Sequence, residues 1–382
     1  MNGTKRVGKG KHMKRVKWMV LIAVMILLLS ACTNQNEFER VEGKVNVVTT
    51  FYPLQFLAEE IGGESAHVIN LVPTGVDSHD WTPKSQDLLN MKKADMFIYN
   101  GAGFEGWVDD FLSGMDQDHD MKVVEASEGA SFIYPSEVEM EEDHHQDENS
   151  HQEDKEHEEE HHDEHEEHGH EEEEHSKQEE HGHEEENHHE HEEEHAEEDA
   201  HAGHDHGDHD IDPHLWTSPK QLMWMAENVK EGFIAADPEN QQQYEQNFSA
   251  LLEELSELDA GIRQIVEQAA RTDIVVSHNA YSYLARDYGL NQISVMGLSP
   301  EAEPTAKDIK QVSDFIKEHE VQYILFEELV SPEIAQMLSN DLGIETLVFN
   351  PLEGLTDEQN QQNENYISIM KENIETLKKA LQ

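Results

Sequence analysis

The sequence predicts an α/β protein of two βα lobes, each on a mostly parallel sheet, joined by one long rigid helix, with a cleft between the lobes. Three observations carry the architecture. Short β-rich runs alternate with helix-patterned segments twice along the chain, the rhythm of βα units on a parallel sheet. Between the two alternations, Phe248, Leu251, Leu252, Leu255, Leu258, Ile262, Ile265 and Val266 recur at steps of three and four, the period of one continuous helix. The chain has 382 residues, enough for two lobes with real cores.

The first alternation starts with the strand Lys44–Thr50, then Phe51-Tyr52-Pro53 and a helix to Ile61, closed by Gly62-Gly63. A second strand, His67–Val72, runs into the loop Pro73–Pro83. A helix carrying Leu88, Leu89 and Met91 follows, then the strand Asp95–Tyr99. Asn100–Trp107 leads into a helix with Val108, Phe111 and Leu112, and a short strand is expected at Met121–Val124. Order resumes at Ile211–Trp216, with a helix from about Ser218 to Ala235. Asp237-Pro238 supplies an N-cap and a first-turn proline for the long helix. That helix is read over about 238–269, roughly 45 Å at 1.5 Å per residue. The second alternation reads as strands Asp273–Ser277, Asn291–Met296, Val321–Phe326 and Ile344–Phe349. Helices are expected at Ala280–Tyr288, Pro304–His319, Pro332–Leu342 and Asn363–Leu381. The domain plan is therefore a first lobe over 43–236 with an insertion at 137–210, a linking helix over 237–270 and a second lobe over 271–382.

The N-terminus is a targeting segment over residues 1–31. Lys5, Arg6, Lys9, Lys11, Lys14, Arg15 and Lys17 precede the apolar run Trp18–Leu29, the layout of a signal peptide. Leu29-Ser30-Ala31-Cys32 places small residues before the only cysteine, as in a bacterial lipobox. Cys32 is the expected lipidated residue and 32–42 a tether. With its sole thiol so used, the body has no disulfide and relies on its core.

The insertion holds 20 of the chain's 27 histidines and 36 of its 84 acidic residues, against two lysines. So little apolar surface cannot offset the entropy of ordering, and the stretch is expected to be disordered. Imidazole with carboxylate suits divalent ions of the zinc class. His144, His145, His161, His162, His188, His189, His204 and His206 are its candidate weak, exchangeable ligands. The net charge of −58 argues against a nucleic-acid partner.

Seven histidines lie outside the insertion. His12 belongs to the signal segment, and His67, His119 and His319 read as surface or strand-edge residues. His79 follows the second strand, His214 sits where the chain re-enters the fold, and His278 ends Asp273–Ser277. Ligands of open α/β sheets bind beyond the carboxyl ends of strands, so these three loops are expected to meet in one cleft. A tetrahedral zinc shell needs a fourth donor. Glu353 is the better candidate because its charge offsets the cation's, with Asn350 a polar competitor nearby.

The chain resembles the zinc-type metal-binding lipoproteins of bacterial ABC importers. The resemblance rests on Thr50-Phe-Tyr-Pro53, Gly75-Val-Asp-Ser-His-Asp-Trp81, Gly101-Ala-Gly-Phe-Glu-Gly-Trp107, Asp212-Pro-His-Leu-Trp216, Ser277–Leu290 and Asn350-Pro-Leu-Glu-Gly-Leu-Thr356. It implies metal ligands at His79, His214, His278 and Glu353, Zn²⁺ as the transported ligand, and a membrane permease as partner. It further implies a monomer held at the outer face of a Gram-positive-type cell membrane by lipid on Cys32. Manganese-type relatives place a carboxylate where His278 stands and an aspartate where Glu353 stands; three imidazoles and one carboxylate suit zinc. A zinc hydrolase would need an open coordination position and a base. Asp77, Asp80 and Glu105 are carboxylates within reach of that role, but nothing in their spacing calls for it, so no enzymatic activity is expected. A pure surface zinc buffer or adhesin would need only the insertion.

Overall fold

The computed structural model describes residues 39–115, 120–134, 211–302, 304–329 and 333–382. The signal segment, Cys32, His119, and the insertion with its histidine ligand candidates lie outside the described residues.

The first lobe begins with β1 (Val45–Thr49), buried at every residue, as a central strand covered on both faces must be. α1 (Tyr52–Gly62) follows, with Pro53 in its first turn, where a missing N–H costs nothing. β2 (Ala66–Asn70), α2 (Ser85–Met91), β3 (Met96–Tyr99), α3 (Val108–Ser113) and β4 (Lys122–Glu125) complete the alternation. After the insertion a 3-10 turn, Leu215–Thr217, leads into α4 (Pro219–Ala236). A second 3-10 turn, Pro238–Asn240, opens the linking helix α5 (Gln241–Gln268). The second lobe runs β5 (Asp273–Val276), α6 (Ser282–Tyr288), β6 (Asn291–Ser294), α7 (Ala306–Glu318), β7 (Tyr323–Phe326), α8 (Glu333–Leu342) and β8 (Glu345–Val348). α9 (Asp357–Gln361) and α10 (Tyr366–Ala380) close the chain.

The strand orders are β2-β1-β3-β4 and β6-β5-β7-β8. Every pair is parallel, so both sheets are wholly parallel where a mostly parallel pattern was expected. Each order reverses direction about its first strand. The switch points, where such sheets bind ligands, therefore lie beyond the carboxyl ends of β1 and β3 in one lobe and of β5 and β7 in the other.

One apolar core runs through both lobes. It joins Val47, Leu54 and Leu57 of the first lobe to Val276, Leu352 and Leu377 of the second, through Tyr244, Leu251, Leu255, Leu258 and Ile262 of α5. α5 packs against α1 and α4 of the first lobe and α6 and α10 of the second. Its buried residues, Tyr244, Phe248, Leu251, Leu255, Leu258 and Ile262, keep the four-three alternation that aligns one face of a helix. Smaller cores seal the outer faces: Val48, Met91, Phe97 and Phe111 in the first lobe, Val275, Val312, Ile324 and Leu338 in the second.

The linking helix is shorter at its start than its sequence pattern suggested, because the turn at Pro238–Asn240 takes up the expected first residues. The turn at Leu215–Thr217 and the short α9 carry no apolar period long enough to be seen in sequence.

Gly232 marks a close approach of α4 to the first sheet. A Cβ there would lie 2.5 Å from Val124 Cγ2 and 3.3 Å from Met96 Sδ. Gly→Ala inside an open helix stabilises by about 0.5–1 kcal/mol, but overpacking a tight core costs about 1–3 kcal/mol. Gly232→Ala is therefore expected to destabilise the fold and lower the melting temperature of the metal-free protein. A raised melting temperature would show that the contact yields.

Candidate metal centre

Each of the four expected ligands is placed by a different loop. His79 lies after β2 in a loop tied across to the second lobe by the Gly75 N–H, which donates to Leu355 O at 2.9 Å. Asp77 Oδ1 accepts the main-chain N–H of His79 at 2.8 Å, the local turn that aspartate favours. His214 follows Asp212, whose Oδ1 accepts both the main-chain N–H of His214, at 2.9 Å, and its Nδ1, at 2.8 Å. His278 stands just beyond β5, with Nδ1 2.5 Å from Glu327 Oε1. Glu327 stands just beyond β7, so this contact crosses the second lobe's switch point. The same Glu327 oxygen accepts the Ser277 hydroxyl.

Glu353 is set by a strained turn after β8. Leu352 sits at φ 63° with its side chain fully buried, a left-handed conformation that costs a bulky residue about 1–3 kcal/mol. Asn350 supports the turn: its Oδ1 accepts the Leu352 N–H at 2.7 Å and its Nδ2 donates to Glu328 at 3.0 Å. Asn373 of α10 clamps the main chain of Asn350 from both sides. Asn350 is therefore a turn residue and does not join the cluster.

The four side chains converge. One ligand atom from each of His79, His214, His278 and Glu353 lies within 4.8 Å of every other. Glu353 Oε1 is 3.2 Å from His79 Nε2, 3.3 Å from His278 Nε2 and 3.7 Å from His214 Nε2, and His79 Nε2 is 3.3 Å from His214 Nε2. Donors held about 2.0–2.1 Å from a tetrahedral zinc stand about 3.3–3.4 Å apart, so the spacing fits such an ion. His214 and His278 are fully buried, Glu353 is 6% exposed, and the His79 side chain keeps 11% exposure. The buried Nε2 of His278 makes no hydrogen bond of acceptable geometry. An unsatisfied buried nitrogen is costly; facing three other donors, it is what a cation would satisfy.

The segment carrying His214 is bound to the second lobe by buried hydrogen bonds. Trp216 Nε1 donates to Pro351 O at 2.8 Å and Thr217 Oγ1 to Ala280 O at 2.9 Å. Tyr283 Oη donates to Asp212 O at 2.6 Å and Tyr366 Oη to Trp216 O at 2.7 Å. Phe104 packs edge-on against His79 and Trp216, with centroids 5.2 Å away in each case.

The carboxylates near the cleft have separate duties. Asp77 holds a main-chain N–H, and Asp80 is exposed; neither is seen on a histidine ring. Glu105 accepts the Thr50 hydroxyl at 2.6 Å and the N–H groups of Asn100 and Gly101 at 2.8 and 3.1 Å, bridging the first lobe's switch point. Burial pushes its carboxyl up to about 7 against these bonds. The ring partners, Asp212 and Glu327, were not singled out by sequence. Asp212 could have been, because aspartate two residues before a loop residue signals a turn that reaches that residue's N–H. Glu327 becomes visible only once β5 and β7 are known to be neighbours.

The electrostatics of the metal-free site follow from one buried carboxylate among three imidazoles. Burial works upward on Glu353, but the charges and bonds of His79 and His278 hold it well below the usual carboxylate range. Burial lowers His79, yet the nearby Glu353 carboxylate outweighs it and the net shift is upward. His278 is pushed up to about 10, because Glu327 and Glu353 together outweigh burial. His214 is lowered, burial there exceeding the pull of Asp212.

The profile of the family described as "Zinc-uptake complex component A periplasmic" matches residues 47–380. The chain belongs to this family. It is 32% identical over 370 residues to the "High-affinity zinc uptake system protein ZnuA" of Bacillus subtilis, covering 96% of this chain and 98% of that protein. It is also 32% identical over 368 residues to the "Zinc-binding lipoprotein AdcA" of Streptococcus pneumoniae, and there it spans 61% of the relative's length. Among solved structures, the Zn(II)-bound ZnuA-like domain of S. pneumoniae AdcA aligns at TM-score 0.64 and 28% identity, over 89% of this chain and 99% of that one. The metal-dependent lipoprotein YcdH of B. subtilis aligns at TM-score 0.64 and 29% identity, over 89% and 100%. The two-lobed family fold agrees with the parallel sheets described above.

Metal binding by histidine requires the neutral ring, so protons compete. With His278 raised to about 10, that competition extends well above the ordinary histidine range of about 6.5. Zinc affinity is expected to keep rising with pH between about 7 and 9, and binding at pH 7 to release at least one proton. Calorimetry in buffers of different ionisation enthalpy measures that release; none at pH 7 would contradict the assignment. The same protonation stabilises the metal-free fold: the contribution is complete below the unfolded value and is lost as pH rises through about 10.

Proposed function

We propose that this protein is the extracytoplasmic binding component of an ABC-type zinc uptake system, capturing Zn²⁺ and delivering it to a membrane permease. The observation that carries the reading is the convergence of His79, His214, His278 and Glu353, one ligand atom of each within 4.8 Å of every other, in a buried cleft. Three nitrogens and one oxygen suit zinc better than manganese, which takes an oxygen-richer set. The family match and the zinc-named relatives support the same cargo. Four protein donors fill a tetrahedral shell and leave no position for an activated water, which separates this site from a hydrolytic zinc centre.

In this reading the four residues are the ligands of the transported ion, and Zn²⁺ is cargo. The chain acts as a monomer, anchored through lipid on Cys32 at the outer face of the cell membrane. Among the described residues no helix is long and apolar enough to cross a membrane. The histidine-rich insertion, through residues such as His144, His145, His161, His162, His188, His189, His204 and His206, assists capture by raising the local zinc concentration. Residues 43–236 and 271–382 act as lobes linked by 237–270. The shared core and the bonds around Trp216 favour small lobe displacement over wide hinge closure.

Two measurements test this. A variant lacking residues 137–210 is expected to bind one zinc tightly, and adding His214→Ala to weaken binding by more than about 100-fold, beyond the range for loss of an outer partner. Tight binding that survives both changes would overturn the ligand assignment. The deletion alone is expected to slow growth under zinc starvation in cells that depend on this protein for zinc; unchanged growth would remove the capture role of the insertion and leave the cleft untouched.

A further inference from the structure

Two of the three clustered histidines are held in the same way on the side away from the cluster. His214 Nδ1 meets Asp212 Oδ1 at 2.8 Å and His278 Nδ1 meets Glu327 Oε1 at 2.5 Å. Asp212 is fully buried and Glu327 is 3% exposed. Both carboxylates are fixed by other donors: Asp212 Oδ1 takes the main-chain N–H of His214, and Glu327 Oε1 takes the Ser277 hydroxyl. An ionised carboxylate only accepts hydrogen bonds, so the proton must reside on Nδ1 of each ring. In the neutral ring that metal binding requires, that tautomer leaves the Nε2 lone pair free, and both Nε2 atoms face Glu353 Oε1, at 3.7 and 3.3 Å. His79 differs: its nearby aspartate, Asp77, takes the main-chain N–H.

Resting on the ligand reading above, we propose that Glu327 is the positioning residue of His278, as Asp212 is of His214. Each carboxylate fixes the Nδ1–H tautomer and the ring plane and strengthens Nε2 as a donor to zinc. Neither touches the ion. A carboxylate behind an imidazole raises its basicity, and losing such a partner typically weakens metal affinity about 10–100-fold. Glu327 carries more of the inference because it comes from a different strand, 49 residues along the chain from His278. Its contact therefore couples two neighbouring strands at the switch point, whereas the Asp212 contact is local.

The test uses the full chain, titrated with zinc against a chelator strong enough to strip weak sites, together with NMR of the zinc-loaded protein carrying ¹⁵N-labelled histidine. Glu327→Ala is expected to weaken tight zinc binding about 10–100-fold. Glu327→Gln keeps a neutral acceptor in the same place and is expected to restore part of that loss. In the parent protein His278 is expected to show a proton on Nδ1 and zinc on Nε2. A merely structural role would lower the melting temperature of Glu327→Ala while leaving affinity within twofold of the parent, and that result overturns the proposal. So does a His278 carrying zinc on Nδ1. Should the alanine variant fail to fold, the glutamine variant decides, and parental affinity there counts against positioning. His278→Ala separates the two levels: tight binding retained there overturns the ligand reading itself, whereas tight binding lost there but kept in both Glu327 variants overturns only the positioning role.

Discussion

A single buried carboxylate facing three imidazoles is the constraint on which the rest of this structure depends. Glu353 is almost wholly removed from water, and its Oε1 lies 3.2–3.7 Å from three Nε2 atoms. An isolated charge in such a place costs several kcal/mol unless it is paired. Without metal, protons on the histidines supply that pairing; a divalent cation bound as proposed would supply it instead. On that proposal the site exchanges one form of positive charge for another, with the compensating geometry already built.

The scaffold explains how four ligands from separate segments come so close. Parallel strands all end on the same edge of their sheet, so the loops after β2, β5 and β8 emerge on facing edges of the two lobes. The continuous core through α5 and the buried hydrogen bonds from Trp216, Thr217, Tyr283 and Tyr366 keep those edges in register. Local strain at Leu352 is tolerated because its side chain is fully buried and Asn350 and Asn373 hold its turn. Charge and packing thus act together: the core fixes the edges, and the edges fix the distances that the charged groups require.

The alternation of strands and helices was legible because each element carries its own period. The strand from Val45 and the helix through Leu251, Leu255 and Leu258 announce themselves by local pattern alone. His79, His214 and His278 were legible as candidates because each follows the end of an element or the return of order, and Glu353 because its charge suits a cation. Elements without a period were not: the turn at Leu215–Thr217 and α9 are too short to repeat anything. The insertion was legible only as composition, since its histidines recur without any spacing that fixes a geometry.

The sequence by itself determined the class of fold, the kinds of donor atom and the kind of ion they suit, because residue chemistry and periodicity are local properties. Only the tertiary structure decided which atoms meet. That Asn350 holds a turn instead of joining the cluster depends on Leu352 and Asn373. That Glu327 stands behind His278 depends on β7 lying beside β5. That Asp77 reaches a main-chain N–H and no ring depends on the path of a loop. Contacts between residues far apart in the chain are set by strand order and shared burial, and neither is written in any one stretch of sequence.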